Sequence, residues 1–405
     1  MPRRVAITGL GIISPLGLNL ADTWKSLSEG RSAIGPITSV NMSRVPMKIQ
    51  NGAEVRGYDP LQHFEGGKEA YIDRFAQFSI VAAREAVRDS GITLTPELRE
   101  QGAIVCGSAV GGQAAIEAGF EDLYVQGRGR VHPLTIPKTM ANAGASHISM
   151  DLGIAGPAYT ISTACSSSNH AIGQAFHLVR DGAADMAITG GSEALFTIGM
   201  LKAWEAMRVI APDTCRPFSK DRKGMILGEG GAMMVLEPME AAKARGAKIY
   251  AEICGFGMTA DAHHLTQPAV HGPARAMRAA LGDAGLQLEQ IGYINAHGTG
   301  TPGNDPVETR AIREVFGPHA DKIGVSSTKS LHGHALGAAG AIEAVATILA
   351  LHYGILPPTA NYTERDPECD LDYIPNQARA AQVEAALSNS FAFGGLNAVV
   401  AFRRV

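Results

Sequence analysis

Charged residues are scarce in this chain, and neither sign dominates. Of the 405 residues 18% are charged, and the net charge is -4. A nucleic-acid-binding protein normally carries a basic face, so this balance argues against a nucleic-acid partner. Apolar residues make up 45% of the sequence. The composition therefore predicts a large globular protein with an extensive buried interior.

The sequence also lacks a long uninterrupted apolar run. A membrane span needs roughly 18 such residues, and the nearest candidate, residues 338–356, contains Glu343 and His352. We expect that segment to be a core helix. The first residues pass directly into an apolar strand pattern, without the apolar region of a secretion signal. We therefore expect a cytoplasmic protein with no membrane span.

Cysteine is infrequent and scattered, with no CxxC spacing. An odd number of dispersed cysteines is typical of reduced thiols in a cytosolic protein. His332 and His334 have no cluster of carboxylates or cysteines beside them in sequence, so we predict no metal site there. The five cysteines are Cys106, Cys165, Cys215, Cys254 and Cys369.

Glycine is abundant, with 47 residues clustered in short loops between apolar runs. That pattern is typical of α/β enzymes. Gly9 and Gly11 follow a strand pattern and predict a turn. They resemble a dinucleotide-binding fingerprint, but Ser14 stands where the third glycine belongs. A partial fingerprint is a weak signal, and we do not predict nicotinamide binding.

The second half of the chain repeats the first in outline. A strand pattern ending in Gly-x-Gly opens each half, at Arg4 and again at Lys248, and strands and helices alternate after it. This alternation predicts mostly parallel sheets with helices on their faces. We expect two halves, residues 1–247 and 248–405, that pack as one unit. Residues 119–139, marked by glycine and proline, are a candidate cap over a pocket.

One stretch, residues 157–174, organises the chain. A β-rich run is followed by small residues, by Cys165, and then by a helical pattern that stops at Gly182. Cys165 should lie in a strand-to-helix turn, where unpaired N–H groups and the helix dipole favour a thiolate. The alternative is a buried structural cysteine, and this stretch alone does not decide between them.

Three further polar stretches each follow a predicted strand. They are Asn295-Ala-His297-Gly-Thr-Gly-Thr301, Lys329-Ser-Leu-His-Gly-His334 and Ser388-Asn-Ser-Phe-Ala-Phe393-Gly-Gly. Ligands gather at the carboxyl ends of parallel strands. We therefore expect these stretches to converge with Cys165 on one pocket, although a histidine beside glycine is also often structural. Lys329 should be buried and paired, with Glu343 as its partner.

One cysteine with two histidines can perform nucleophilic chemistry. The absence of an acidic third member in these motifs is unlike a protease triad. The set suits a thiolate that holds an acyl group while neutral histidines donate hydrogen bonds to a developing oxyanion.

At these residues the chain resembles the β-ketoacyl-[acyl-carrier-protein] synthases. The motifs Thr163-Ala-Cys165-Ser-Ser, Asn295-Ala-His297-Gly-Thr-Gly-Thr301-Pro, Lys329-Ser-Leu-His-Gly-His334 and Asn389-Ser-Phe-Ala-Phe-Gly-Gly395 occur in that family's order and rough spacing. The resemblance covers essentially the whole chain. It is to the ketosynthase II type, and the chain is also similar to nodulation-type and type II polyketide ketosynthases.

The resemblance implies an α/β thiolase fold, with two βαβαβαββ halves stacked in five αβαβα layers, and a homodimer. It implies that Cys165 takes an acyl chain from the phosphopantetheine arm of an acyl carrier protein. Malonyl carrier protein then loses carbon dioxide and condenses with the acyl group. The product is a 3-oxoacyl carrier protein that is two carbons longer.

It also implies a role for each matching residue. His297 and His334 assist decarboxylation, Lys329 with Glu343 orders them, and the backbone N–H groups of Cys165 and Phe393 form an oxyanion hole. The remaining roles concern substrate binding: Thr299 and Thr301 hold the pantetheine arm, Phe393 gates malonyl entry, Val110 lies at the acyl pocket near the dimer axis, and Leu201 takes the place of a pocket aromatic.

No cofactor of the protein's own is implied, because the phosphopantetheine arm belongs to the carrier-protein substrate. Some relatives hold a structural monovalent cation, and the matching positions here are Asn295, Glu343, Ser388 and Asn389. No metal ligand is otherwise expected.

Besides Leu201, in a segment around residues 200–204 that is shorter than in the fatty-acid enzymes, the chain departs from the family pattern at three places. Leu396 replaces the usual threonine after the Gly-Gly pair, residues 67–71 contain only Lys68 as a basic residue, and Glu205 stands near a family arginine. The last two departures leave carrier docking unassigned.

Three alternatives differ in their chemistry. A non-catalytic chain-length partner would lack the nucleophile that is present here. A degradative thiolase would need a second cysteine in the C-terminal turn, and residues 391–397 contain none. A priming synthase would carry His and Asn instead of two histidines. A ketosynthase subunit of a specialised pathway, working with a chain-length partner, remains the main alternative.

Overall fold

The computed structural model describes residues 2–405 as alternating strands and helices. The strands are β1 Val5–Ile13, β2 Gly35–Pro36, β3 Asn51–Gly52, β4 Gly102–Gly107, β5 Ala158–Ile161, β6 Met186–Glu193, β7 Gly230–Pro238, β8 Ala251–Ala260, β9 Ile291–Asn295, β10 Gly324–Ser326, β11 Ile355–Leu356, β12 Arg379–Ala380, β13 Ala385–Ala392 and β14 Leu396–Arg403. The α-helices are α1 Leu20–Ser28, α2 Arg74–Ser90, α3 Pro96–Gln101, α4 Gln113–Phe120, α5 Thr135–Thr139, α6 Ala143–Leu152, α7 Ser167–Arg180, α8 Ile198–Met207, α9 Met239–Ala244, α10 His271–Ala284, α11 Asn304–Phe316, α12 Lys329–His332 and α13 Ala339–Tyr353.

The main sheet carries the internal repeat. Its strand order is β10-β9-β13-β14-β8-β1-β7-β6-β4-β5. Read outward from the β1–β8 junction, the first half contributes β1, β7, β6, β4 and β5, and the second contributes β8, β14, β13, β9 and β10. The two series match strand for strand, in order and in direction. The repeat inferred from the sequence is therefore a structural one.

Helices complete five layers. Helices α7 and α13 contact strands of both halves, so they lie between the two half-sheets. Helix α2 covers the outer face of the first half, against β1 and β7, and α10 covers the second, against β8 and β14. Helix α13 is buried from Ala339 to Leu351 because apolar strands face it from both sides. The predicted αβαβα arrangement is confirmed.

Helix α13 lies in the apolar segment that the sequence predicts to be a core helix. The window Leu336–Tyr353 has the length and hydropathy of a membrane span, but 89% of it is buried inside the protein. A core helix of this kind explains the apolar run without a membrane.

The expectation of mostly parallel sheets is wrong in the centre of the sheet. Strands β5, β4 and β6 run parallel to one another, and so do β10, β9 and β13. The inner pairs are antiparallel, among them β13 with β14. The connection from Ala392 to Leu396 is too short for the crossover that parallel strands require, so it forms a hairpin.

Gly9 and Gly11 lie inside β1 and do not form the predicted turn. A Cβ atom on Gly11 would lie 2.0 Å from the carbonyl oxygen of Ala82 in α2. In the second half, a Cβ on Gly257 would lie 2.1 Å from the carbonyl oxygen of Ala276 in α10. Both Gly-x-Gly pairs therefore allow a helix to approach its strand closely, which explains the motif without a nucleotide.

Candidate active site

Cys165 lies in a tight turn between β5 and α7, as predicted. Ala164, directly before it, has a positive φ of 51°. The turn is closed by hydrogen bonds from the Ser167 N–H and the Ser167 hydroxyl to the Ala164 carbonyl, at 3.2 and 2.7 Å. Only 7% of Cys165 is exposed, yet it lines a cleft between the two halves of the chain.

The expected thiolate is opposed by the surroundings of Cys165. Burial raises the pKa of its thiol to about 11, because the charged form loses its hydration. The charge on Lys329 and the backbone N–H groups of Phe393 and of Cys165 itself lower that pKa, but burial outweighs them. The prediction that the helix N-terminus favours a thiolate was therefore wrong, because burial raises the pKa by more than these groups lower it. Cys165 rests as a thiol.

His297 follows β9 and is held through its backbone and its ring. The Glu308 carboxylate accepts the backbone N–H groups of His297 and Gly298, at 2.8 Å each. Lys329 Nζ donates to the His297 carbonyl at 2.7 Å and lies 3.5 Å from its Nδ1. An ammonium group can only donate, so Nδ1 is the unprotonated nitrogen and Nε2 carries the proton.

His334 is fixed by a backbone bridge to the segment before β7. Its N–H donates to the carbonyl of Ile226 at 2.7 Å, and its carbonyl accepts the Gly228 N–H at 3.0 Å. Its ring lies edge-on to that of His297, with 5.5 Å between the centroids. Burial, and next the charge on Lys329, hold the pKa of both imidazoles well below the usual value. Two neutral rings that can donate hydrogen bonds therefore lie side by side.

Lys329 and Glu343 form the predicted ion pair, and both side chains are 0% exposed. Glu343 lies on α13, and the pair sits behind His297. Burial raises the pKa of Glu343 to about 7, while Lys329 opposes that rise. The prediction that Glu343 is the partner of Lys329 is confirmed.

The motifs converge on one cleft of about 300 Å³. Its lining includes six of the predicted site residues, which come from both halves of the chain: Cys165, His297, Thr299, Thr301, His334 and Phe393. The hydroxyls of Thr299 and Thr301 lie 2.8 Å apart. None of the residues 119–139 lines this cleft. The expectation of a cap there was wrong, because the segment folds as a surface excursion with exposed apolar side chains.

Val110 and Leu201 are not in the cleft lining. They pack with Cys165 in an apolar cluster that also contains Leu195. Buried Glu193 anchors the loop of Val110, since its carboxylate accepts the N–H groups of Ala109 at 2.7 Å and Val110 at 3.3 Å. The apolar cluster therefore adjoins the cleft, because Cys165, Met225 and Ala392 belong to both.

Phe393 occupies the turn between β13 and β14. The N–H of Gly394 donates to the carbonyl of Leu265 at 2.7 Å, and the carbonyl of Gly395 accepts the N–H of Asp261 at 2.9 Å. These bonds tie the turn to the loop after β8. The Phe393 ring stacks on Trp204 with 6.2 Å between centroids.

Sequence reasoning missed Glu308 and Trp204. Glu308 lies on the first turns of α11, which follows the His297 loop. A carboxylate shortly after that loop could have indicated an acceptor for its backbone N–H groups. Trp204 lies on α8, remote in sequence from Phe393. Nothing local in the sequence indicates that stacking contact.

Four buried oxygens stand at the positions that match the cation site of some relatives. Across residues 2–405, hydrogen-bond partners are lacking for Asn295 Oδ1, Glu343 Oε2, Ser388 Oγ and Asn389 Oδ1. All four side chains are fully buried, and Asn295 pairs with Ser388 across β9 and β13. Unpaired buried oxygens are costly, and hard cations prefer oxygen ligands. These four positions therefore fit a cation.

Comparison with known families matches most of the chain. The profile of the β-ketoacyl synthase N-terminal domain matches residues 2–242, and that of the C-terminal domain matches residues 250–363. Nodulation protein E of Rhizobium sp. (strain N33) is 49% identical over 405 residues, which is 100% of both chains. The 3-oxoacyl-[acyl-carrier-protein] synthase 2 of Synechocystis sp. is 43% identical over 410 residues, 99% of this chain and 98% of the relative.

Solved structures agree over the whole length. The ishigamide ketosynthase/chain length factor superposes with a TM-score of 0.95 at 36% identity and covers 100% of both chains. A type II PKS acyl-carrier protein in complex with its ketosynthase bound to the hexaketide gives a TM-score of 0.90 at 32% identity, again with 100% of both chains covered.

The raised thiol pKa predicts how Cys165 reacts with iodoacetamide. Because the thiolate is the nucleophile, its alkylation rate should rise about tenfold per pH unit between about pH 7 and pH 9. Peptide mapping by mass spectrometry measures the rate at Cys165. The double variant Lys329→Met/Glu343→Gln removes the charge that lowers this pKa and should react more slowly. A rate that levels off below about pH 8 would contradict the assignment.

Proposed function

The chain belongs to the β-ketoacyl synthase family, and from that membership we propose that Cys165, His297 and His334 carry out its reaction. The enzyme is a β-ketoacyl-[acyl-carrier-protein] synthase, an acyltransferase of fatty-acid or related chain elongation. Residues 1–247 supply the nucleophile and residues 248–405 supply both histidines. The observation that carries the proposal is that one buried thiol and two neutral imidazoles line the same cleft.

The first step transfers the acyl chain to the enzyme. The Cys165 sulfur loses its proton and attacks the thioester carbon of the acyl carrier protein, and the carrier thiol leaves with a proton. The backbone N–H groups of Cys165 and Phe393, which already act on the Cys165 sulfur, are placed to donate to the oxyanion of this step. Because the thiol pKa is about 11, proton removal is part of the step.

The second step forms the carbon–carbon bond. Malonyl carrier protein loses carbon dioxide, and its thioester oxygen takes up the negative charge as an enolate. Neutral His297 and His334 donate hydrogen bonds to that oxygen, and for His297 the donor is Nε2–H, as fixed by Lys329. The enolate carbon attacks the acyl carbon on Cys165, and the sulfur leaves. The product is a 3-oxoacyl carrier protein.

Lys329 and Glu343 act as positioning residues in this scheme, and Thr299 and Thr301 bind the pantetheine arm along the cleft. Phe393, stacked on Trp204, is placed to control the entry of malonyl carrier protein. Val110 and Leu201 belong to the apolar cluster beside Cys165, which suits them to contact the acyl chain.

A second candidate is a ketosynthase of a specialised pathway that works with a chain-length partner. Two observations favour it. Nodulation protein E is more similar to this chain than the 3-oxoacyl synthase is, at 49% against 43% identity. The ishigamide protein, which pairs a ketosynthase with a chain length factor by its description, shares the fold at a TM-score of 0.95.

We also propose a homodimer formed at the edge strand β5. The carbonyls of Pro157 and Ile161 accept N–H groups from the β4 side, at 2.8 and 3.2 Å. By the alternation of a parallel ladder, the N–H of Thr160 points to the other, unpaired edge. Large apolar side chains are exposed from the end of α4 to the segment before α6, and such a patch is typical of a protein–protein interface. They are Phe120, Tyr124, Val125, Ile136 and Met140.

We also assign a structural monovalent cation to the positions of Asn295, Glu343, Ser388 and Asn389. When bound, it would neutralise buried oxygens behind the histidine loops. We place the enzyme in the cytoplasm, since its five cysteines are free thiols and reduced thiols suit that compartment.

Loss of the nucleophile tests the reaction itself. Cys165→Ala should reduce condensation at least about a thousandfold, while Cys254→Ala, a free thiol outside the cleft, should not. Intact-mass spectrometry after incubation with acyl carrier protein should show an acyl adduct only when Cys165 is present. Retained chain elongation in Cys165→Ala would refute the mechanism.

The role of His334 separates the two steps. His334→Ala should stop decarboxylation of malonyl carrier protein because the enolate loses a hydrogen bond, while Cys165 is still acylated. Carbon dioxide release and acyl adduct formation are measured in parallel. Equal loss of both steps would mean that His334 is structural.

The cation assignment predicts salt-specific stability. A ligand that binds only the folded state stabilises it, so the unfolding temperature should fall by about 2 °C or more when potassium chloride is replaced by choline chloride at equal concentration. Ser388→Ala should narrow this difference. Equal unfolding temperatures of the native protein in both salts would contradict the site.

The dimer depends on the free edge of β5. Thr160→Pro removes the outward N–H without touching the ladder to β4, and should convert the dimer to a monomer. Thr160→Val keeps the N–H and should remain dimeric. Light scattering after size exclusion measures the mass, and a dimeric Thr160→Pro protein would rule out this interface.

A further inference from the structure

Two cations at the cleft have no assigned role. Arg208 and Lys223 both line the cleft and are exposed. Among residues 2–405, neither has a carboxylate within ion-pair distance, and neither donates a side-chain hydrogen bond. In a protein of net charge -4, two unpaired cations at the same opening form a local positive site.

Backbone pairing places the two residues close together. The N–H of Met225 donates to the carbonyl of Val209 at 2.9 Å, and the N–H of Ala211 donates back to the carbonyl of Met225 at 2.8 Å. Arg208 and Lys223 therefore sit on neighbouring segments. The N–H of Gly224 donates to the carbonyl of Gly300 at 2.9 Å, which puts Lys223 next to the loop of Thr299 and Thr301.

The carboxylates near this opening are already occupied. Glu205, one turn before Arg208 on α8, binds Lys202 Nζ at 2.5 Å. Asp261 accepts Asn397 Nδ2 at 2.7 Å and the N–H of Ala269 at 3.2 Å. The two cations are thus left available for an anion from outside the protein.

Arg208 has an unusual backbone for its residue type. It ends α8 with a positive φ of 56°, at a helix position where glycine is the usual residue. An arginine there accepts a strained backbone. A side-chain function at the cleft is a physical reason for that choice.

We propose that Arg208 and Lys223 bind the phosphate of the phosphopantetheine arm that the acyl carrier protein brings to this cleft. The assignment rests on the proposed function. The thioester lies at Cys165, the amides of the arm lie along Thr299 and Thr301, and the phosphate follows at the cations. A guanidinium can bind two phosphate oxygens at once, and the ammonium adds a point charge.

The test compares thioesters with and without the phosphate. Acylation of Cys165 by hexanoyl-phosphopantetheine and by hexanoyl-pantetheine is followed by intact-mass spectrometry. The native protein should prefer the phosphorylated probe by about tenfold, the effect expected of charge-assisted hydrogen bonds. In Arg208→Gln/Lys223→Gln the ratio of the two rates should fall to about one. The matched control Arg88→Gln/Lys322→Gln removes the same charge from exposed residues outside the cleft and should keep the native ratio.

The outcomes distinguish failure of the phosphate site from failure of the proposed function. Equal rates with both probes in the native protein, or an unchanged preference in the double variant, would overturn the phosphate site alone. No acylation by any thioester would overturn the proposed function and this site with it. Hexanoyl carrier protein should react faster than hexanoyl-coenzyme A, which carries the same phosphopantetheine arm on a nucleotide. The reverse order would overturn the carrier protein as the source.

Discussion

The active site depends on one buried charge, the ammonium of Lys329. It is fully buried with Glu343, and a buried ion pair costs several kcal/mol of desolvation. In return its contact with His297 fixes the protonated ring nitrogen, and its charge lowers the pKa of His297, His334 and Cys165. A neutral side chain at this position would leave the histidine tautomer open and a carboxylate unpaired.

The repeated sheet brings the site residues together. Cys165 follows β5 in the first half, whereas His297 follows β9 in the second, and α7 and α13 lie between the half-sheets. The cleft therefore exists only when both halves are packed. Close helix–strand approaches at Gly11 and Gly257 set the thickness of the layers on each side. The packing of these layers brings Cys165, His297 and His334 to the same cleft.

Local patterns predicted much of the site. The turn at Cys165 and the pairing of Lys329 with Glu343 were predictable from the sequence, because strand ends, small residues and charges form local sequence patterns. The thiol pKa was predicted with the wrong sign, since burial is a property of the packed protein and outweighs the helix terminus. Trp204 against Phe393 was missed for the same reason: the contact joins segments almost 190 positions apart in the sequence.

The sequence by itself determined the α/β class and the internal repeat, and its motifs singled out Cys165, His297 and His334 as candidates for the reaction. It could do so because periodicity and motif spacing are local and survive without coordinates. The tertiary structure alone decided the antiparallel centre of the sheet, the effect of burial on the pKa of Cys165, the contacts of Glu308 and the placement of Arg208 and Lys223 at one cleft. Those features depend on which segments, far apart in the sequence, pack together and bury one another. Local sequence patterns do not specify that packing.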